Sequence, residues 1–118
     1  MKFNPTVPIY LQIMESIKKD VVTGSLARGE RVDSVRALSE KFDVNLNTMQ
    51  RACSELEREG VLFTQRGVGS FVTDDDSVIK TLKQEMCNNL VNEFIDGMRG
   101  IGLSNKEILD TVGKALQK

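Results

Sequence analysis

The chain has 118 residues, a formal net charge of -1, 40% hydrophobic residues and 28% charged residues. That length holds one compact core with a short appendage, which argues against a two-domain enzyme. The near-zero charge argues against a strongly basic nucleic-acid binder, although a binding face needs only local basic residues and not a basic whole.

No apolar run approaches the roughly 18 residues that a membrane span needs. The opening stretch, MKFNPTVPIY, has neither the apolar core nor the small-residue cleavage site of a secretion signal, so a cytoplasmic protein without membrane contact is expected. Charge is divided slightly along the chain, with ten Lys/Arg and nine Asp/Glu in residues 1–73 against six and eight in 74–118. Cys53 and Cys87 lie far apart and outside any CxxC spacing, which fits two reduced, buried thiols and neither a disulfide framework nor a zinc site.

In chain order, Pro8 followed by IYLQIMESIKKDVVTG reads as a first helix, with proline preset for its first turn and Ile9, Ile13, Ile17 and Val21 at i, i+4 spacing. Gly24 ends it. SLARGERV is a loop with a short strand at Arg31–Val32. Ser34 can then cap a second helix, SVRALSEKF, whose Val35, Leu38 and Phe42 share a face. Asp43 and Val44 make a tight turn into a third helix running from Asn45 to about Glu59, with Gly60 as its stop. VLFTQ and SFVT, separated by RGVG, form a hairpin. This order is that of a winged helix-turn-helix, here expected over 1–74.

Three aspartates break the pattern, and Ser77 can start a long helix carrying Ile79, Leu82, Met86, Leu90, Phe94 and Met98, with a second row of Cys87, Val91 and Ile95 beside them. GIGLSNKE supplies a glycine turn and a capping box from Ser104 to Glu107, opening a last helix that bears Ile108, Leu109, Val112 and Leu116. The fold class is therefore mainly α with a small β-hairpin: a winged helix-turn-helix followed, over 75–118, by a two-helix tail.

Helical phase assigns the third helix a reading face. If Met49, Cys53 and Leu56 point to the core, then Asn47, Gln50, Arg51, Ser54 and Arg58 point away from it. Asn45 is the expected cap, with Asn47 and Thr48 at the helix start. In a major groove, amides such as Asn47 and Gln50 pair bidentately with adenine, and Arg51 reaches guanine or phosphate. Arg36, one turn into the second helix, is suited to the flanking backbone, and Arg66 and Gly67 at the hairpin tip to a minor groove. A polar helix face is ordinarily only solvated. What raises the reading above that is the paired helices together with the wing.

Enzymatic chemistry has no evident carrier. The chain has no histidine and no Gly-rich phosphate loop with its lysine, and the GxG of RGVGSF follows a strand without opening a helix. No catalytic residue, metal site or cofactor is expected.

The motifs PIYLQI, TGSL before a loop glycine, SVRAL, the turn into NLNT, LEREGVL and RGVGSFV fall in one order over residues 6–73. In that order they resemble the N-terminal winged-helix domain of the GntR family of bacterial transcription regulators. The resemblance implies that Arg36, Asn45, Asn47, Thr48, Gln50 and Gly67 occupy that family's usual DNA-contacting positions. The chain departs from the family at Arg28 and Asp33, where proline is usual, and at Leu46, where members with an Asn-Pro-Asn-Thr start have proline.

The tail of about 45 residues is similar to that of the YtrA-like subgroup, whose members dimerise through two C-terminal helices. Its apolar rows, Leu82, Met86, Leu90 and Phe94 with Leu109, Val112 and Leu116, must be covered by the winged domain or a partner, and a two-fold homodimer is the economical solution. The expected function is thus a dimeric DNA-binding repressor on a palindromic operator, with space for an unidentified small-molecule effector between tail and winged domain. The alternative is a winged-helix protein-interaction module that does not read DNA.

Overall fold

A computed structural model of the chain describes residues 2–117. Eight elements follow in order: α1 (Ile9–Thr23), β1 (Arg31–Val32), α2 (Val35–Phe42), α3 (Leu46–Arg58), β2 (Leu62–Gln65), β3 (Gly69–Val72), α4 (Asp76–Gly100) and α5 (Asn105–Leu116). They divide into two compact units, Met1–Leu82 and Lys83–Lys118, and the division falls inside α4.

In the first unit, α1 buries Ile13, Met14, Ile17 and Val21. Ile9, at the head of the expected row, is exposed instead. Pro8 stands one position before the helix with ψ 134°, as its cap residue and not in its first turn. Gln12 closes the segment ahead of the helix: its amide donates to the Asn4 and Val7 carbonyls at 2.8 and 2.9 Å, and its oxygen accepts the Asn4 N–H at 2.8 Å. The helix stops at Gly24, whose φ of 83° suits a residue without a side chain.

The Ser34 hydroxyl caps α2 by accepting the Ala37 N–H at 3.1 Å. Leu38 is buried there, with Val35 and Phe42 half-buried beside it. Asp43 takes the left-handed conformation (φ 54°) and turns the chain through Val44 into α3. α3 then sends Met49, Ala52, Cys53 and Leu56 inward. Burial, reinforced by the Glu57 charge, pushes the Cys53 thiol up to about 11, so it stays protonated and behaves as a small apolar side chain. A Lys18–Glu59 ion pair of 2.8 Å joins α1 to the end of α3.

The sheet has three strands, not a hairpin alone. Its order is β1-β3-β2, antiparallel throughout, with Leu62 opposite Val72, Phe63 opposite Phe71, Thr64 opposite Ser70, and Arg31 opposite Phe71. Leu62 and Val72 close the core from below, while Phe63 and Phe71 stack on the outer face with ring centres 5.5 Å apart.

α4 begins at Asp76, one residue earlier than the sequence suggests. The Asp75 carboxylate accepts both the Ser77 N–H (2.9 Å) and its hydroxyl (2.6 Å), and so caps the helix that Ser77 was expected to start. Arg28 lies 3.8 Å from the Asp76 carboxylate.

In the second unit, α5 opens with the expected capping box: Glu107 N–H donates to the Ser104 hydroxyl at 3.2 Å, and Ser104 N–H donates to the Glu107 carboxylate at 3.0 Å. That bond and the Ser104 hydroxyl hold the Glu107 carboxyl below its ordinary value. Among the described residues from 83 on, Ile108 alone is buried. Cys87, expected inside, is exposed, as is Val91 of its row on α4, while Ile95 of the same row is half-buried. Leu90, Phe94, Leu109 and Leu116 are likewise exposed, Met86 and Val112 half-buried. Leu82 differs from these tail residues, since it is buried within the first unit.

Candidate nucleic-acid interface

The N-terminal two turns of α3 present a surface without negative charge. From Asn45 to Ser54 there is no acidic residue. Asn47, Gln50, Arg51 and Ser54 are all exposed, on the side opposite Met49 and Cys53, as phase requires. Asn45 serves the backbone: its Oδ1 accepts the Thr48 N–H at 3.0 Å. The opening polar residues therefore divide their work, Asn45 capping the helix and Asn47 standing free of it. Gln50 donates to the Ser54 hydroxyl at 3.1 Å along the helix, a bond it must exchange to address a partner with both ends of its amide.

Arg51 is held from outside α3. Its guanidinium carbon lies 3.9 Å from the centre of the Tyr10 ring, and one nitrogen donates to the Tyr10 hydroxyl at 3.3 Å. Tyr10 and Ile9 with Asn45, Asn47, Thr48 and Arg51 line a cleft beside the helix start. The sequence reading missed Tyr10, whose aromatic ring at the edge of an otherwise aliphatic helix face was the available signal. Leu46, singled out in the sequence only as a departure from the family, is exposed in the first turn of α3, where an apolar side chain can meet a thymine methyl group.

Arg36 is exposed on the first turn of α2. At the hairpin tip the Val68 N–H donates to the Gln65 carbonyl at 2.9 Å, and Gly67, at φ 78°, holds the position where a type II turn demands glycine. Arg66 is exposed beside it. Among the described residues, Arg36, Arg51 and Arg66 have no carboxylate partner within 4 Å, so three exposed cations belong to α2, α3 and the wing. Cations spread over a helix-turn-helix and its wing suit an extended polyanion, and exposed amides between them suit base edges.

The profile of the bacterial regulatory proteins of the gntR family matches residues 9–72, more than half of the chain. The chain belongs to the GntR family. As a GntR-family protein it is a transcriptional regulator and not an enzyme. It is 34% identical over 111 residues to the uncharacterized HTH-type transcriptional regulator YhcF of Bacillus subtilis, covering 94% of this chain and 92% of that one.

Among solved structures, a GntR family transcriptional regulator from Listeria monocytogenes matches with a TM-score of 0.88 and 37% identity over 95% of this chain and 98% of its own. The AraR(DBD) in complex with operator ORX1 matches with a TM-score of 0.57 and 25% identity over 62% of this chain and 93% of its own. Near-complete coverage of YhcF and the Listeria protein extends the likeness through the two C-terminal helices, consistent with the YtrA-like subgroup. No helix among the described residues is long and apolar enough to cross a membrane.

Proposed function

We propose that this GntR-family regulator is a homodimeric repressor that reads a palindromic operator, with α3 in the major groove and the hairpin tip at the minor groove. The observation that carries the reading is the acid-free outward face of α3 from Asn45 to Ser54, flanked by exposed Arg36 and Arg66. Asn47 and Gln50 then address base edges, Arg51 addresses a base or a phosphate, and Arg36, Thr48, Arg66 and Gly67 fix the frame on the backbone and groove. The operator-bound AraR domain supports a DNA partner for the same fold.

Residues 1–74 carry the DNA-reading function in this proposal and 75–118 the dimerisation function. Support for a second copy comes from the tail, which leaves Leu90, Phe94, Leu109 and Leu116 exposed and has only Ile108 buried among its described residues from 83 on. Helices so apolar and so little covered are stable when another chain covers them. The protein would act in the cytoplasm, where the operator is.

Selection of bound DNA from a random pool tests the proposal. An enriched inverted repeat, with half-sites about one helical turn apart, is the expected result. Recovery of single half-sites would remove the dimer, and recovery of no preferred sequence would favour the protein-interaction alternative.

A further inference from the structure

Arg31 has no role so far, yet its side chain is tied into the wing. It stands on β1 opposite Phe71 of β3, with the stacked Phe63–Phe71 pair on the outer face of the same sheet. One guanidinium nitrogen donates to the Val68 carbonyl at 2.7 Å, across 37 positions of sequence. The rest of the group fills the space above Gly69. A Cβ added to Gly69, whose φ is 148°, would lie 2.9 Å from the Arg31 Nε and 3.1 Å from its Nη2. Arg31 has no carboxylate partner among the described residues, so its charge-assisted bond goes to the wing backbone.

We propose that Arg31 is a positioning residue for DNA recognition, a clamp that sets the wing turn from Arg66 to Val68 in the shape that presents Arg66. The proposal rests on the DNA-reading function above. Its physical ground is that β2 and β3 have four residues each, and an isolated two-stranded hairpin of that size is marginal in water. β1 pairs with β3 at Arg31 and Val32, opposite Phe71 and Ser70, and does not reach the tip. The planar guanidinium extends the support of β1 by one side chain, to Val68 and Gly69. Lysine offers the charge without the planar fork and cannot fill the same space.

The test compares the full-length protein with its Arg31→Met, Arg31→Lys and Gly69→Ala variants in two measurements. The first is amide hydrogen exchange at residues 66–69 without DNA. Exchange should quicken about tenfold in Arg31→Met, as expected for loss of one charge-assisted hydrogen bond, and should also quicken in Gly69→Ala, where the new methyl group displaces the guanidinium.

The second is hydroxyl-radical footprinting on DNA selected by the wild-type protein. Protection beneath the wing should weaken in Arg31→Met and in Arg31→Lys, while protection beneath α3 persists. Unchanged exchange in Arg31→Met would overturn the clamp. Full footprint recovery by Arg31→Lys would also overturn it, since Arg31 would then supply charge alone. A wild-type protein that selects no DNA defeats the DNA-reading function on which the proposal rests, and with it the recognition role of Arg31, whereas quickened exchange in the variants would still identify the bond that holds the turn.

Discussion

The guanidinium carbon of Arg51 on α3 lies 3.9 Å from the centre of the Tyr10 ring on α1, and one of its nitrogens donates to the Tyr10 hydroxyl. The contact joins α1 to α3 and limits the rotamers open to an exposed arginine. A cation–π contact at an exposed site is worth about 0.5–1 kcal/mol. Tyr10→Ala should therefore weaken operator binding a few-fold, and Tyr10→Phe by less, because the ring remains. A double-mutant cycle with Arg51→Ala, read by fluorescence anisotropy, checks it. Additive losses would mean that Tyr10 acts on something other than Arg51.

Asn47 and Gln50 are the exposed amides of the first turns of α3. Replacing either by alanine should cost about 1–3 kcal/mol on the selected operator and relax preference at one base pair per half-site. Competition binding against a panel of single-base operator variants would reveal this. A uniform loss across the panel would assign the residue to the backbone.

Salt dependence reports the cations. Each neutralised phosphate contributes about 0.9 to the slope of log affinity against log salt concentration. Arg36→Ala and Arg66→Ala should each lower that slope by about one contact per protomer while leaving the ranking of operator variants intact. A slope that neither change moves would place both side chains away from phosphate.

Phe94 is 46% exposed on α4, in the row with Leu90. Phe94→Asp should leave the winged unit folded, because the change lies outside Met1–Leu82. If the tail forms the proposed dimer interface, the change should give a monomer, since burying an unpaired carboxylate among apolar side chains is costly. Sedimentation and circular dichroism together check this. An unaltered dimer would move the interface to another face.

Glu107 gives the tail a pH dependence. Its carboxyl lies below its ordinary value of 4.5 because it accepts the Ser104 N–H and interacts with the Ser104 hydroxyl. The folded state therefore binds this proton less readily than the unfolded state does. Its stabilisation is complete above pH 4.5 and is lost as pH falls through the lower folded value. Ser104→Ala should cost about 0.5–2 kcal/mol of helix stability at neutral pH. Because the Ser104 N–H remains in the variant, only the hydroxyl's share of the Glu107 shift is lost, and the gap between variant and wild type in thermal unfolding should narrow somewhat as pH falls below the ordinary value of 4.5. A constant gap would mean that the Ser104 hydroxyl cap acts without its carboxylate partner.

Much of the fold was legible because its signals are local. Ser34, Asn45, Ser104 and Gly24 mark helix ends through bonds made within a few residues, and period alone separates Met49 and Cys53 from Asn47 and Gln50. What stayed hidden depends on contacts across long separations. Tyr10 meets Arg51 over 41 positions and Arg31 meets Val68 over 37, and no periodicity encodes either pair. The β1 pairing that turns the hairpin into a three-stranded sheet is non-local in the same way. Cys87 was misread for another reason: an apolar row shows that a face is to be covered, without showing that the cover comes from the same chain.

That Ile108 is the single buried side chain beyond Leu82 among the described residues bears on how the protein would respond to its own abundance. If, as proposed, a second copy covers this tail, assembly follows mass action. On the dimer reading, at concentrations where the protein is mostly monomeric, the assembled form grows with the square of protein concentration, and so does occupancy while the site is mostly empty. In that range a twofold fall in expression would lower occupancy about fourfold, a steep response without any bound small molecule. Substitutions at Leu90, Phe94, Leu109 or Leu116 would shift that range and leave the sequence being read unchanged.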